Sequence, residues 1–518
     1  MNYTKLAIIA FLLIILGLLA AQKIDLVTAD LGRHLKNGEI FFSDFQIPKT
    51  NLYSYTYPDF PFLNHHWGGG VIFFAVYKLA GFAGISVLFL ILTLATFFIF
   101  FHIAWRFSRF EIACLSALIA LPVIAARIEI RPEVFSYFFA ALFFWILMNF
   151  HAGKISQKWL WALPFVELFW VNIHIYFFLG PFLIGLFLLE NLIDKFFKRN
   201  LSTSDPATAG SDAKKLTIFL LLTSIVTLIN PAFIKGALYP LKIFNNYGYR
   251  LFENQSVSFI SKIVSYPPSV YFKILLAFLI FSWIAVWVKK RLSFSVALLI
   301  LSAFFSVIAG QAIRNFTLFG FFALPIAAIN LNALFKNADG KKTMNILTFL
   351  PMLLLLLFIA SPQFWLTRKN IGLGFEKNVE NSAGFFIKEN VQGPIFNNYD
   401  IGSYLTFYLY PKMRVFVDNR PEAYPSSFFE SVYVPAQENE QKWKELDEQY
   451  GFNAIFFYRR DLTPWAQNFL VQKISESAWA PVFVDDFSII FLKRNEQNQK
   501  IIEKYELPKE MFSVSKPQ

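Results

Sequence analysis

The sequence predicts a polytopic α-helical membrane protein with a separate α/β domain at its C-terminus. Three observations lead to this fold class. Of the 518 residues, 56% are hydrophobic and 16% are charged, whereas a soluble domain has about 25% charged residues. Apolar segments of about 20 residues, the length that crosses a bilayer, recur as far as residue 363. After residue 364 the pattern changes to short alternating apolar runs separated by charged stretches.

Composition and charge exclude several other classes of protein. The mean hydropathy of +0.48 and the 65 Phe residues are incompatible with a disordered or collagen-like chain. The single cysteine, Cys114, excludes a disulfide scaffold. The net charge is +12, but residues 364–518 contain 18 Lys and Arg against 20 Asp and Glu. The positive charge therefore lies on the membrane part, and we expect no nucleic-acid partner.

We predict about eleven membrane-spanning helices from the length of the apolar segments. The first is expected to be a retained signal anchor, and the stretch 70–79 an interfacial helix that leads into the second span. The predicted spans are residues 5–22, 84–105, 111–127, 134–150, 159–171, 175–193, 216–232, 271–288, 293–310, 316–335 and 344–361.

The distribution of Lys and Arg predicts the topology. Basic residues cluster in alternate short loops, as in Lys154 with Lys158 and in Lys289-Lys290-Arg291, and the positive-inside rule makes that side cytoplasmic. The opposite side then receives the large first external loop, 23–70, and the C-terminal segment. We therefore predict a transmembrane domain over 1–363 and a soluble extracytoplasmic α/β domain over 364–518.

The first external loop carries the best candidate for a catalytic group. Asp30 lies shortly beyond the end of the first span, where the phosphate of a membrane lipid would meet water, and a carboxylate there is suited to act as a general base. The alternative is that Asp30 caps a helix beginning near Leu31. His34 is four residues further on, so the two side chains would share a helix face.

Histidines and a tryptophan close the same loop. His65, His66 and Trp67 lie directly before an apolar run. Adjacent histidines do not have the i, i+4 spacing that places two metal ligands on one helix face. The pair is therefore a weak metal signal, and the alternative is polar residues at the headgroup level beside Trp67. A divalent metal thus remains possible, and the sequence does not identify its ligands.

Ionisable residues near the ends of the spans are candidates for substrate binding. Arg131, Arg250 and Arg314 fall in loops on the external side, and the guanidinium fork is suited to phosphate. For Arg131, a pair with a neighbouring carboxylate is an equal alternative. Glu167 and His174 could line an internal cavity or make polar contacts between helices.

The C-terminal segment contains two polar motifs but no known nucleotide or hydrolase signature. Asn397–Tyr404 has the composition of a turn that opens a helix, and Arg414–Val417 reads as a strand followed by the charged loop Asp418–Glu422. Such a loop could bind a glycan or be closed by salt bridges. The sequence has no Walker A motif, no G-x-G-x-x-G and no G-x-S-x-G.

A series of short motifs extends over nearly the whole chain. They are Asp30-Leu31, His34-Leu35 and Gly38, Tyr53-Ser54-Tyr55-Thr56, His65-His66-Trp67, Arg131-Pro132, Phe135-Ser136-Tyr137, Trp170, Asn172 and His174, Asn230-Pro231, Arg314-Asn315, Tyr399-Asp400, Gly402 and Tyr404, and Val417-Asp418 with Arg420. Taken together, these motifs resemble those of polytopic bacterial membrane glycosyltransferases of the glycosyltransferase C (GT-C) superfamily. The sequence departs from that pattern at Gly32 and Arg33, where two Trp are usual.

The resemblance implies a sugar donor linked to polyprenyl phosphate and a catalytic acidic residue at the position of Asp30. It also implies a helical membrane domain with an outward-facing cavity, an extracytoplasmic C-terminal domain, and a location in the bacterial cytoplasmic membrane among its lipids. A metal is used by some relatives and not by others. The acceptor is expected to be an envelope glycan, a lipid or a protein.

Two other functions remain open at this stage. A transporter or flippase of lipid-linked saccharides would need arginines that bind phosphate but no base. A non-catalytic protein of envelope assembly would depend on its C-terminal domain and not on Asp30 or Arg314.

Overall fold

The computed structural model describes residues 3–27, 30–197, 206–242, 246–290, 294–332 and 370–512. Contacts divide the chain into two compact units. The first unit comprises Met1–Gln22, Ser86–Pro240 and Leu251–Leu373, and the second comprises Lys23–Ile85, Leu241–Arg250 and Gly374–Gln518. The predicted span 344–361 and the predicted domain boundary at residue 363 lie outside the described residues.

Thirteen helices precede residue 333 in the described part of the chain, apart from short 3₁₀ turns. They are α1 (Tyr3–Ala20), α2 (Leu31–Asp44), α3 (Trp67–Phe107), α4 (Phe110–Ile124), α5 (Glu133–His151), α6 (Ala162–Ile173), α7 (Leu179–Phe196), α8 (Pro206–Val226), α9 (Phe233–Ala237), α10 (Val257–Ile263), α11 (Pro267–Lys290), α12 (Val296–Gln311) and α13 (Phe316–Asn332).

Every predicted span within the described residues falls on a helix. Within the described part of the chain, six helical segments are long and apolar enough to cross a membrane, and Phe110–Ile124 and Val296–Gln311 are shorter apolar helices. The protein is thus a multi-pass membrane protein, while the number of eleven spans stays a prediction. Helix α3 is interrupted at Ala80 and Gly81, where Gly81 has φ 59°. This break separates the stretch 70–79 from the span that follows.

The first unit is a helical bundle with an aromatic core. Phe322 of α13 stacks on Phe305 of α12 with ring centroids 4.1 Å apart, and it meets Phe100 of α3 at 5.0 Å. Helix α13 approaches α4 closely at Gly320, where an added Cβ would lie 2.8 Å from Ile124. The Thr317 hydroxyl donates to the Ile124 carbonyl over 3.0 Å. Small residues at helix contacts allow this approach in a membrane protein.

The second unit contains a four-stranded mixed sheet with helices around it. The strand order is β1-β2-β4-β3, with β1 parallel to β2 and the other pairs antiparallel. Its elements after residue 370 are α14 (Asn381–Lys388), β1 (Ile395–Asn397), α15 (Gly402–Leu409), α16 (Ser426–Phe428), α17 (Val434–Glu438), α18 (Glu440–Tyr450), β2 (Ala454–Tyr458), α19 (Pro464–Ser475), β3 (Trp479–Val484), β4 (Ser488–Lys493) and α20 (Gln499–Tyr505), with a π-turn at Phe429–Tyr433.

The strand predicted at Arg414–Val417 is wrong. Its backbone makes one isolated bridge, between Val415 and Ser54. Side chains satisfy the neighbouring groups instead: the Asn397 carbonyl oxygen accepts from the Phe416 amide over 2.9 Å, and the Ser54 hydroxyl donates to the Phe416 carbonyl over 2.9 Å. Buried backbone groups need partners, and here side chains supply them in place of a strand ladder.

Candidate functional site

Asp30 lies directly before α2 in a buried polar cluster of the second unit. Its Oδ2 accepts a hydrogen bond from Arg33 Nη2 over 2.7 Å and lies 3.3 Å from His34 Nε2. Both partners are on the first turn of α2, as the i, i+4 spacing of Asp30 and His34 suggested. These contacts fix the orientation of the carboxylate.

The capping alternative accounts for the position of Asp30 but not for its contacts. Asp30 is the N-cap residue of α2, yet within the described residues its side chain makes no capping hydrogen bond to the helix. The carboxylate is instead directed to Arg33 and His34. An acidic residue at a helix N-terminus is still favoured by the helix dipole.

Helix α2 is held in place by α15. The Arg33 amide donates to the Ser403 hydroxyl over 2.8 Å, and an added Cβ at Gly32 would lie 2.5 Å from the Ser403 carbonyl oxygen. Backbone contact at that distance leaves no room for a side chain. The departure from Trp at position 32 therefore has a steric reason in this protein.

The loop histidines lie beside the same cluster. The rings of His34 and His66 meet edge-on at 5.4 Å between centroids, and His65 and His66 are 3.8 Å apart. Trp67 begins α3 and contacts Phe41 of α2 at 5.5 Å. The structure thus brings together five of the predicted site residues around the start of α2: Asp30, His34, His65, His66 and Trp67.

Arginines form a separate cluster in the first unit. Glu253 lies at its centre: Oε2 is 2.9 Å from Arg127 Nη2 and 3.0 Å from Arg131 Nη1, and Oε1 is 4.0 Å from Arg314 Nη1. Glu133 also pairs with Arg127, and Glu129 lies 2.8 Å from Arg131. Three arginines and three glutamates therefore form one network at the ends of several helices.

The ionisation of Glu253 follows from these neighbours. Burial alone would raise its pKa, but Arg127, Arg131 and Arg314 outweigh burial and lower the pKa from 4.5 to about 2. Glu253 is thus a carboxylate at any physiological pH. The alternative raised for Arg131, a pair with a carboxylate, is what this structure shows, and the arginines converge on one anion.

Arg250 differs from the other two predicted arginines. It is exposed and belongs to the second unit, whereas Arg131 and Arg314 belong to the first. Among the residues that the structure describes, it makes no ion pair. Its neighbour Tyr249 stacks on Tyr399 at 4.3 Å.

Glu167 and His174 lie in the interior of the first unit. His174 Nδ1 is 2.8 Å from the Ser136 hydroxyl, which also accepts a hydrogen bond from Trp170 Nε1 over 2.7 Å. Glu167 is fully buried, and its carboxyl oxygens have no hydrogen-bond partner among the described residues. Of the two alternatives for His174, a cavity lining or a polar contact between helices, these hydrogen bonds favour the polar contact.

One group of described residues has the donors for a metal ion. His151, Glu190 and Asp194 each offer a ligand atom within 4.8 Å of the others. His151 is the last residue of α5, about 27 Å along the helix axis from Glu133 given the rise per residue of an α-helix. Glu190 and Asp194 lie on α7. The position of this group far along α5 from the arginine cluster does not support a role in catalysis.

Residues without an assigned role in the sequence prediction complete both clusters. Arg33 was noted only as a departure from the GT-C pattern, although its i, i+3 spacing from Asp30 predicts contact on a helix. Arg127 and Glu253 have no role in the sequence prediction. Their convergence requires chain segments 126 residues apart to meet.

The architecture is that of a multi-pass helical membrane protein with a C-terminal α/β domain, and solved structures share it. The archaeal oligosaccharyltransferase AglB from Archaeoglobus fulgidus, in complex with an inhibitory peptide and a dolichol-phosphate, aligns with a TM-score of 0.57 and 11% identity, covering 96% of this chain and 74% of that chain. ArnT from Cupriavidus metallidurans, in the apo state, aligns with a TM-score of 0.51 and 14% identity, covering 95% and 98%. The predicted GT-C-like fold is confirmed.

The sequence matches no protein-family model and no curated protein. The structural similarity therefore establishes the fold class.

Proposed function

We propose that the protein is an inverting membrane glycosyltransferase. It transfers a sugar from a polyprenyl-phosphate donor to an acceptor hydroxyl of an envelope glycan, lipid or protein. The observation that carries this proposal is the carboxylate of Asp30, held by Arg33 and His34 at the start of α2. The fold shared with AglB, which was solved with a dolichol-phosphate, supports the donor class.

Asp30 would act as the general base. Its carboxylate accepts the proton of the acceptor hydroxyl as the hydroxyl oxygen attacks the anomeric carbon of the donor sugar. The bond from that carbon to the phosphate oxygen breaks, and the polyprenyl phosphate leaves. His34 and Arg33 orient the carboxylate for this proton transfer. A single displacement of this kind inverts the configuration at the anomeric carbon.

The arginine cluster would hold the phosphate leaving group. Arg127, Arg131 and Arg314 already converge on one anion, the Glu253 carboxylate. Negative charge grows on the phosphate as the glycosidic bond breaks, and preorganised cations stabilise that growing charge. Arg250, with His65, His66 and Trp67, remains a proposed contact to substrate. A divalent metal is not assigned a role.

We place the protein in the bacterial cytoplasmic membrane with its C-terminal domain on the outer side. The support is the distribution of Lys and Arg in the loops, which orients the spans. A site on the outer side would receive lipid-linked donors that have already crossed the membrane.

The test is the substitution Asp30→Asn, which keeps the size of the side chain and removes the base. In membranes supplied with a polyprenyl-phosphate sugar, we expect transfer to fall by about 10²- to 10⁴-fold, the usual contribution of a general base. Product formation is measured by mass spectrometry of the acceptor fraction, with expression level as the control.

The same variant separates the transferase from its rivals. A flippase would still move lipid-linked saccharide across vesicle membranes with Asn at position 30, and an assembly protein would keep its phenotype. Full transfer activity in the Asp30→Asn protein would refute the assignment of Asp30.

A further inference from the structure

We propose that Glu253 occupies the place of the donor phosphate among Arg127, Arg131 and Arg314, and that the phosphate binds by exchange with this carboxylate. The inference rests on the proposed function and names a residue that regulates its phosphate site. Glu253 would leave the arginines as the donor enters and return as the polyprenyl phosphate product departs.

The contacts of Glu253 reproduce those that a phosphate group would make. One carboxylate oxygen is 2.9 Å from Arg127 and 3.0 Å from Arg131, and the other faces Arg314 at 4.0 Å. Two non-bridging phosphate oxygens can take the same two positions, since guanidinium groups bind carboxylate and phosphate through the same fork of donors.

The charge balance requires an exchange. Three arginines face three glutamates, so the network is neutral before the donor binds. A phosphodiester added to this network would place a further negative charge against Glu253, and like charges at such an interface lower affinity. When Glu253 leaves, the remaining charge is +1, which matches the single charge of a sugar phosphodiester.

Glu253 is the one glutamate of the three that is suited to leave. Glu133 is 3% exposed on the first turn of α5, and Glu129 has a half-exposed side chain that pairs with Arg131. Glu253 faces all three arginines, and 19% of its side chain is exposed, so water can receive the displaced carboxylate.

The exchange requires rotation of one side chain and no displacement of the loop. The turn Phe252–Asn254 is tied to the turn that carries Arg314: Arg314 Nη1 donates to Asn254 Oδ1 over 3.0 Å, and the Ile313 amide donates to the Gln255 carbonyl over 3.1 Å. These bonds do not involve the Glu253 side chain. Arg314 therefore stays in position when the carboxylate rotates away.

The experiment compares lipid binding by full-length protein in detergent. Wild type, Glu253→Gln, Glu253→Asp and Glu111→Gln are titrated with undecaprenyl phosphate and with uncharged undecaprenol, using microscale thermophoresis. Glu111→Gln is the matched control, because it removes the same charge from the first turn of α4. We expect Glu253→Gln to bind undecaprenyl phosphate about tenfold more tightly, a typical coupling between two competing groups. Undecaprenol binding and the Glu111→Gln protein should not change.

Equal or weaker binding of undecaprenyl phosphate by Glu253→Gln overturns the exchange. If that variant does not fold, as judged by its thermal midpoint, Glu253→Asp decides: it keeps the charge but shortens the side chain, and unchanged affinity overturns the proposal. The phosphate site of the proposed function fails separately, when wild type binds undecaprenol as tightly as undecaprenyl phosphate and Arg314→Ala has no effect.

Discussion

At the scale of single residues, the charged groups of the candidate site are held in place by charged or polar neighbours. Asp30 is fixed by Arg33 and His34, which lie on the next helical turn. Glu253 is fixed by arginines from two other segments of the chain. The first arrangement is local and can be read from spacing. The second is produced by tertiary contacts, and it determines how the protein responds to pH.

The low pKa of Glu253 predicts an acid-dependent loss of stability. Because the folded-state pKa is about 2 and the ordinary value is 4.5, the carboxylate stabilises the fold fully above pH 4.5, and this contribution is lost as the pH falls towards 2. We expect wild type to have a higher thermal midpoint than Glu253→Gln at neutral pH. The difference should shrink progressively below pH 4.5. A difference that stays constant down to about pH 3 would contradict this account.

At the scale of elements, helix α2 is the part of the structure that positions Asp30. It contacts α15 at Gly32 and the start of α3 at Gly38, where an added Cβ would meet the Gly70 carbonyl and Phe74. Two glycines therefore allow α2 to approach backbone on two sides. The conformation of Asp30 depends on this packing as much as on its own helical turn.

The close approach at Gly32 predicts that a single methyl group displaces α2. In Gly32→Ala the new Cβ would lie 2.5 Å from the Ser403 carbonyl oxygen, a backbone atom that cannot rotate away. Overpacking of this kind costs about 1–3 kcal/mol. We expect a lower thermal midpoint, measured by tryptophan fluorescence in detergent, together with reduced transfer activity.

Gly384→Ala is the control for this substitution. Gly384 also lies in a helix of the second unit, and an added Cβ there meets no atom within 4 Å. It should be neutral or slightly stabilising, by up to about 1 kcal/mol of helix propensity. Equal effects of the two substitutions would show that the contact with Ser403 does not hold α2.

At the scale of the whole molecule, the first external loop and the C-terminal segment fold as one compact unit. Arg420 is fully buried and joins them: it pairs with Asp418 over 2.6 Å and donates to Asn51 Oδ1 over 2.7 Å. Its guanidinium also lies over the rings of Tyr53, at 4.8 Å, and Phe62, at 4.5 Å. The tail motif Val417-Asp418 with Arg420 thus has a structural role in holding the loop that carries Asp30.

Removing one partner of this buried pair should unfold the loop and the tail together. Asp418→Asn leaves the Arg420 charge buried without its counter-ion, which costs about 3–5 kcal/mol. We expect limited trypsin digestion to cut both the first external loop and the C-terminal segment of the variant at concentrations that leave wild type intact.

The exposed ion pair of Asp486 with Arg460 supplies the control. The side chain of Asp486 is 79% exposed, and exposed pairs contribute about 1 kcal/mol or less. Asp486→Asn should therefore resemble wild type. Cleavage confined to the tail in Asp418→Asn would argue against coupling through Arg420.

The sequence by itself determined the fold class and most of the elements. Apolar length predicted helices that the structure contains, and the short alternating apolar runs after residue 364 predicted an α/β segment, where the structure has a four-stranded sheet. These features are local, because a span must be long and apolar and a buried strand must alternate or be apolar throughout. The i, i+4 spacing also placed His34 next to Asp30 correctly.

The tertiary structure alone decided the electrostatic partners and the scaffold of the candidate site. Three arginines meet Glu253, Ser403 supports Arg33, and Arg420 binds Asn51 across 369 residues of sequence. The segment Arg414–Val417, predicted as a strand, instead makes backbone hydrogen bonds with the side chains of Asn397 and Ser54. Each of these contacts joins distant segments, and their energies depend on burial and distance, which no local pattern of residues encodes.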